Sequence, residues 1–172
     1  MALHLIIDGY NIIRQSPELL SKESQDLRWG REALLEKLAA YRRLKRHPIT
    51  VVFDGGLAGD SLSSRDRFQG MLIIYSRRGE KADDVIKRLT DRERERSLVI
   101  SSDREIMVHA ERVGAAVMSA EDFMFRLQAA FFNDEFAETE EDQANSSRTK
   151  KKGPAHRDSK KLRRQRRRVK KL

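Results

Sequence analysis

The sequence contains no cysteine among its 172 residues. Disulfides, thiolate zinc sites and cysteine nucleophiles are therefore excluded together, and the composition fits a reducing compartment. The sequence also lacks any run of about 20 apolar residues, which a membrane-spanning helix requires, and the apolar run within residues 1–7 is shorter than a signal-peptide core. We expect a cytoplasmic protein with no membrane partner.

Basic charge is concentrated at the end of the chain. Residues 145–172 hold 14 Lys and Arg and one acid, which leaves 22 of the 36 basic and 26 of the 27 acidic residues for 1–144. The formal charge is thus −4 for the larger part and +13 for the end. Beyond the last predicted helix, acidic and then basic residues leave too few apolar side chains for a core. We predict one folded domain over 1–132 and a disordered tail over 133–172.

Short apolar runs alternate with amphipathic stretches along the first part of the chain. The runs are typical of buried strands, and leucines at helical spacing, such as Leu34, Leu35 and Leu38, predict helices. This alternation favours an α/β fold with a parallel central sheet, in which ligands bind beyond the carboxyl ends of the strands. We predict five strands, at 3–7, 49–53, 71–75, 98–100 and 115–118, and helices at 27–46, 82–89, 105–113 and 120–132.

The interval 54–70 is rich in Gly and Ser and is longer than most connections in a compact domain. We expect a mobile loop over this interval. Arg65 and Arg67, within this interval, are candidates for binding the phosphates of a nucleic acid.

Acidic residues follow three of the predicted strands. Asp8 follows the first strand, Asp54 the second and Asp103 the fourth. Asp83 opens the helix after the third strand. Carboxylates gathered about 4 Å apart at one sheet edge repel by roughly 4 kcal/mol per pair at an effective dielectric of 20, so the cluster needs a cation. Oxygen ligands without His or Cys favour Mg²⁺ or Mn²⁺, which acidify water and neutralise charge on a phosphodiester, and this is nuclease chemistry.

The helix after the third strand offers three acids, Glu80, Asp83 and Asp84. At 100° per residue, Asp83 lies roughly 110° and Asp84 roughly 150° from the centre of the apolar stripe, which favours Asp83. Asn11 is a candidate for holding the acid of the first strand in place, and Ser102 for positioning a water or a phosphate. We keep Glu80 and Asp84 as supporting candidates.

Each acid also has a purely structural interpretation. Asp8 fits an Asx-turn, and Asp103 fits a helix N-cap. Asp83 and Asp84 suit a helix N-terminus, and Asp54, which precedes two glycines, suits a turn. We favour the functional interpretation because several acids converge on one edge of the predicted sheet.

Five sequence stretches within roughly 3–130 occur in a recognisable order: LIIDGYNII at 5–13, VVFDG at 51–55, YSRRGEKADDVI at 75–86, VISSDRE at 99–105 and GAAVMSAEDF at 114–123. In their order and spacing they resemble the YacP-like NYN family. The resemblance implies a PIN-like three-layer fold and a metal-dependent ribonuclease whose acids match Asp8, Asp83 and Asp103, with Asn11 and Asp54 near them. It also implies an RNA substrate, with mRNA on the ribosome as a candidate.

The basic tail lies outside this resemblance. Its charge can neutralise many phosphates without reading sequence, and we predict that it tethers the protein to RNA or ribosomes. A solubilising segment and a nuclear-localisation signal are the alternatives. The residues predicted to contact RNA there are Lys150, Lys151, Lys152, Arg163, Arg164, Arg166, Arg167 and Arg168.

Three functional hypotheses follow from the sequence. The leading one is an endoribonuclease in which Asp8, Asp83 and Asp103 are catalytic and hold the metal. The second is a non-catalytic PIN-like adaptor that binds RNA or the ribosome. The third, a phospho-acceptor or phosphatase domain, is disfavoured because Asp8-Gly9-Tyr10 lacks a second acid two residues after the first.

Overall fold

The computed structural model describes residues 2–58 and 65–140. Strands and helices alternate along these residues, as the apolar patterning predicts. The strands are β1 (His4–Asp8), β2 (Ile49–Phe53), β3 (Arg65–Phe68), β4 (Met71–Tyr75), β5 (Ser97–Ile100) and β6 (Ala116–Met118); the helices are α1 (Gly9–Gln15), α2 (Pro17–Gln25), α3 (Leu27–Lys45), α4 (Gly55–Ala58), α5 (Ala82–Glu93), α6 (Arg104–Arg112) and α7 (Ala120–Glu140), with a 3₁₀ turn at Arg94–Arg96.

The six strands of the described residues form one sheet in the order β3-β4-β2-β1-β5-β6. All neighbouring strands are parallel except β3, which pairs antiparallel with β4. The chain first builds the sheet outward from β1 through β2 to β4 and then returns to add β5 on the other side of β1. The strand order therefore reverses between β1 and β5, and this reversal opens a crevice at their carboxyl ends.

Helices cover both faces of the sheet because successive side chains of each buried strand point to opposite sides. Leu5 and Ile7 belong to the larger core, which α1, α2, α3 and α7 close. Ile6 belongs to the smaller core beneath α5 and α6. The predicted three-layer α/β fold is confirmed.

The prediction of five strands and a loop over 54–70 was wrong in two respects, since the short helix α4 and the strand β3 both lie within that interval. The β3 sequence RDRF is largely exposed and has no apolar face, so periodicity gives no strand signal. The hairpin between β3 and β4 turns on Gln69 and Gly70, with φ of 45° and 81°. Two residues with positive φ form a type I′ turn, which matches the twist of the paired strands.

The last helix also extends further than predicted, since α7 continues to Glu140 rather than ending near residue 132. The rest of the predicted tail, 141–172, lies outside the described residues. Among the helices that the structure describes, none is long and apolar enough to cross a membrane.

Candidate functional site

Three acids come together where the strand order reverses. Asp8 is the last residue of β1, and its neighbour Ile7 is in register with Ile100, the last residue of β5. Asp103 follows β5 after two serines. Because β1 and β5 are parallel and in register, Asp8 and Asp103 lie at the same edge of the sheet although they are far apart in the chain.

Asp8 is held by two hydrogen bonds in a largely buried position. Its Oδ1 accepts from the backbone N–H of Asn11 at 3.2 Å, which caps α1, and its Oδ2 accepts from the Ser101 hydroxyl at 3.0 Å. Burial raises the pKa of Asp8 to about 6, and the charge of Asp83 adds to this rise. The two hydrogen bonds and Arg14 oppose the rise but do not cancel it.

Asp103 is linked to Asp8 through Ser101. The backbone N–H of Asp103 donates to the Ser101 hydroxyl oxygen at 3.1 Å, and that hydroxyl donates to Asp8. The Oδ1 of Asp103 accepts from the N–H groups of Glu105 and Ile106, at 2.8 and 3.1 Å, and so caps α6. No described group donates to its Oδ2, so one oxygen of this cap remains available to a ligand.

Asp83 completes the group from the first turn of α5. It is partly buried, and its pKa is raised first by burial and then by the charge of Asp103, while Lys87 and Lys81 oppose the rise. No described residue hydrogen-bonds its carboxylate. Asp84 is exposed, and its Oδ2 accepts from the backbone N–H of Lys81 at 3.4 Å. The geometry therefore keeps Asp83, rather than Asp84, as the candidate from this helix.

Asn11 and Ser102 tie the two loops of the crevice together. The Asn11 side-chain oxygen accepts from the backbone N–H of Ser102 at 2.8 Å. The Ser102 hydroxyl oxygen in turn accepts from the N–H of Ala120, at the start of α7, at 3.2 Å. Both residues support the position of the acids, and neither contacts a carboxylate of the group by its side chain within the described residues.

Two of the predicted supporting acids have structural partners instead. Asp54 accepts from the N–H of Gly56 at 2.9 Å, which is the turn interpretation given above. Glu80 pairs with Arg88 and accepts from the N–H of Arg77, and Arg88 lowers its pKa. No described contact links either acid to the other three.

The predicted RNA-binding arginines lie in two places. Arg65 and Arg67 are exposed on β3, at the edge of the sheet. The eight basic residues predicted to bind RNA in the tail lie outside the described residues. Sequence reasoning missed Arg14, whose charge acts on Asp8 and whose guanidinium lies 5.9 Å from the ring centroid of Tyr10. The i,i+4 spacing of Tyr10 and Arg14 is a signal for this contact once α1 is recognised as a helix.

The crevice offers carboxylate oxygens, which suit Mg²⁺ better than zinc. Within residues 2–58 and 65–140, no three or more His, Asp or Glu side chains lie close enough together to hold a metal ion by themselves. Mg²⁺ differs from zinc because it keeps several waters and binds through one or two carboxylates plus substrate phosphates. Asp8 and Asp83 have raised pKa values that a nearby cation would lower. The residues fit a partly hydrated hard cation and do not fit a zinc cage.

Comparisons with known proteins agree with this architecture. The model of the YacP-like NYN domain family matches residues 5–168. The prediction that the basic tail lies outside the family resemblance was therefore wrong, because the match extends well beyond residue 130. A curated protein of Bacillus subtilis (strain 168), YacP, is 29% identical over 85 residues, which are 49% of this chain and 49% of YacP. The chain thus spans about half the length of that curated relative in the match.

Two crystal structures of Rae1 (YacP) from Bacillus subtilis are similar to this fold. A mutant form gives a TM-score of 0.69 at 22% identity, covering 83% of this chain and 86% of that one. The other structure gives a TM-score of 0.62 at 22% identity, covering 83% and 84%. At this identity the similarity establishes the fold.

Proposed function

The chain belongs to the YacP-like NYN domain family, and from this premise we propose that it is a metal-dependent endoribonuclease that hydrolyses RNA phosphodiesters. The family is PIN-like and of nuclease type, which supports an RNA-related role. The finer assignment of metal-dependent cleavage is our proposal.

One observation carries the proposal. Asp8, Asp83 and Asp103 lie at the crevice between β1 and β5, where burial is the main cause that raises the pKa of Asp8 and of Asp83. The charge of a neighbouring acid adds to each rise, that of Asp83 for Asp8 and that of Asp103 for Asp83. A group of acids that disfavours its own charged form is costly to keep unless a cation or a chemical role requires it.

In this proposal the three acids hold Mg²⁺ or Mn²⁺, and Ser101 and Asn11 fix the two loops that carry Asp8 and Asp103. When bound, such an ion acidifies a water and neutralises charge that develops on the phosphodiester. Asp8 works in its ionised form, which the cation favours. Its hydrogen bond from Ser101 keeps the carboxylate facing the crevice.

The proposed substrate is RNA, and mRNA on the ribosome is the proposed setting for its cleavage. The family resemblance supports this assignment. Arg14 supports it as well, since it is an exposed cation that acts on Asp8 and is suited to a substrate phosphate.

The test is cleavage of a labelled RNA by the full chain with Mg²⁺, Mn²⁺ or EDTA. We expect cleavage with metal and none with EDTA, and a loss of at least about 100-fold in rate for Asp8→Asn. Asp84→Asn is the matched control, because Asp84 is exposed and should retain most activity. Equal rates for wild type and Asp8→Asn would contradict the proposal.

The adaptor hypothesis remains the second candidate. It is the alternative that the sequence also allows. It predicts tight RNA or ribosome binding that neither metal nor Asp8→Asn changes, with no cleavage of naked or ribosome-bound RNA.

A further inference from the structure

A groove of about 830 Å³ lies between the α2–α3 hairpin and the β3–β4 hairpin. Its volume is in the range of small-ligand sites and accommodates a nucleotide. Its lining includes Trp29, Phe68, Tyr75 and Arg31, together with the acids Glu32, Glu36 and Asp66. The groove is separate from the three acids but adjoins the same edge of the sheet, because Tyr75 ends β4 as Asp8 ends β1.

Arg31 gives the groove a buried cation. The side chain is 5% exposed, its Nη1 donates to the Tyr10 hydroxyl at 3.0 Å, and its guanidinium carbon lies 5.9 Å from the ring centroid of Tyr75. Among the described residues, no carboxylate oxygen forms an ion pair with it. Asp26 acts on Arg31 electrostatically, but its carboxylate is hydrogen-bonded to Arg28. A bound anion would therefore add to the stabilisation of the buried Arg31 charge.

Tyr10 connects this cation to the acids. Arg14 lies over one part of Tyr10, and Arg31 donates to its hydroxyl, so two guanidinium groups flank the same side chain. Arg14 also acts electrostatically on Asp8. Strands β1 and β4 are two places apart in the sheet, which corresponds to about 10 Å. Arg14 thus lies on the side of the acids and Arg31 on the side of the groove. The backbone of a single nucleic-acid strand can extend from one to the other.

The far part of the groove suits a base rather than a phosphate. Trp29 is 51% exposed and presents a flat apolar surface. The other cations of the wall are already paired, Lys22 with Glu18 and Arg28 with Asp26. The acids of the wall repel a phosphate and accept hydrogen bonds from amino groups such as those of nucleobases. Charge therefore sets one orientation, with the phosphate toward Arg31 and the base toward Trp29.

We propose that this groove binds one unpaired nucleotide of the RNA, with its phosphate at Arg31 and its base stacked on Trp29. The proposal deepens the proposed function and rests on RNA being the substrate. Unpaired bases stacked on aromatic and guanidinium planes are the common mode of single-strand recognition. It follows that the protein would prefer RNA that is single-stranded beside the cleaved bond.

Trp29 is the only tryptophan of the chain, so its fluorescence reports on the groove alone. The experiment titrates the full-length Asp8→Asn protein, in EDTA, with a short unstructured RNA and with an abasic strand of the same length and charge. We expect the RNA to quench Trp29 emission saturably and the abasic strand to bind without comparable quenching. RNA binding, measured by anisotropy, with unchanged Trp29 emission would overturn the proposal and leave the groove to another partner, such as a peptide.

Variants make the test quantitative. Trp29→Ala should weaken binding of the short RNA by about fivefold or more, whereas Trp29→Phe should retain most of the affinity. Phe125→Ala is the matched control, since Phe125 is 73% exposed on α7 and does not line the groove. An equal effect of Trp29→Ala and Phe125→Ala would contradict the proposal. Because none of these measurements requires cleavage, failure of the nuclease proposal and failure of the groove proposal give different results.

Discussion

The ionised Asp8 side chain destabilises the fold. Its carboxylate is largely buried, and its pKa is about 6 rather than 3.8, chiefly because of burial. The folded protein therefore binds a proton at Asp8 more tightly than the unfolded chain does. The stabilisation that this proton provides is complete below about pH 4 and is lost as the pH rises through about 6.

Asp8→Asn should therefore increase the free energy of unfolding at pH 7.5 in the absence of metal. The shift of about 2 pH units corresponds to at most about 3 kcal/mol, because asparagine carries no charge to bury. The measurement is denaturant unfolding of both proteins at pH 4.5 and 7.5. The gain should be smaller at the lower pH, and a loss of stability at pH 7.5 would contradict the prediction.

The sequence predicted which acids gather but not how they are held. Helical angles separated Asp83 from Asp84, and the structure places the former partly buried and the latter exposed. Asp54 could not be assigned from sequence because an acid before two glycines suits both a turn and a site, and its contact with Gly56 shows that it does form a turn. The catalytic and metal-binding roles themselves stay predictions.

At the scale of elements, the strands buried on both faces were predictable and the exposed one was not. Strand β2 is buried throughout and mostly apolar, whereas β3 carries three charged residues and gives no apolar pattern. The short helices α1 and α2 were also missed. Ser16 is the N-cap of α2 and Pro17 is its first residue. These local signals were present in the sequence, but they are weaker than a long apolar pattern.

The close contact between β1–α1 and β2 gives a prediction at this scale. A Cβ at Gly9 would lie 2.2 Å from the ring of Phe53, which is fully buried. Gly9→Ala should destabilise the fold by about 1–3 kcal/mol through overpacking and should also impair cleavage, because Gly9 follows Asp8. Thermal unfolding and the cleavage assay measure the two effects.

Phe53→Leu tests whether a clash with the Phe53 ring causes the instability of Gly9→Ala. It removes the ring that Gly9→Ala would meet, so the double variant should lose less stability than the two single variants together. Gly56→Ala is a control, since its Cβ would meet a single Asp54 oxygen at 3.2 Å. Strict additivity of Gly9→Ala and Phe53→Leu would argue against the steric account.

For the whole molecule, the sequence predicted the fold but not the groove. The alternation of strands and helices predicted the fold and the edge that carries the acids, because parallel strands leave little choice of arrangement. The groove was not predictable, since Trp29, Arg31 and Tyr75 come from different elements and share no motif. Its recognition required the packing of the hairpins.

The segregation of charge gives the prediction at this scale. Residues 1–144 carry −4 and the remaining residues +13, so nonspecific RNA affinity should reside in the tail. Truncation at residue 144 should make the slope of log affinity against log salt shallower by about 0.7 for each phosphate that the tail neutralises. Anisotropy titrations of both proteins, with unfolding curves to confirm that the shorter one is folded, measure this. Equal slopes would contradict a tethering role for the tail.

The central claim is that the acids Asp8, Asp83 and Asp103 bind a divalent cation whose other ligands are water and the RNA phosphate, and metal-dependent thermal stability tests it most directly. The shift in Tm on adding Mn²⁺ at pH 7.5 is measured for the wild type, for the three single Asp→Asn variants and for Asp84→Asn. A cation that binds only the folded protein raises Tm. We predict a rise of several degrees for the wild type and Asp84→Asn and little or none for Asp8→Asn, Asp83→Asn or Asp103→Asn. The same rise in all five proteins would contradict the claim.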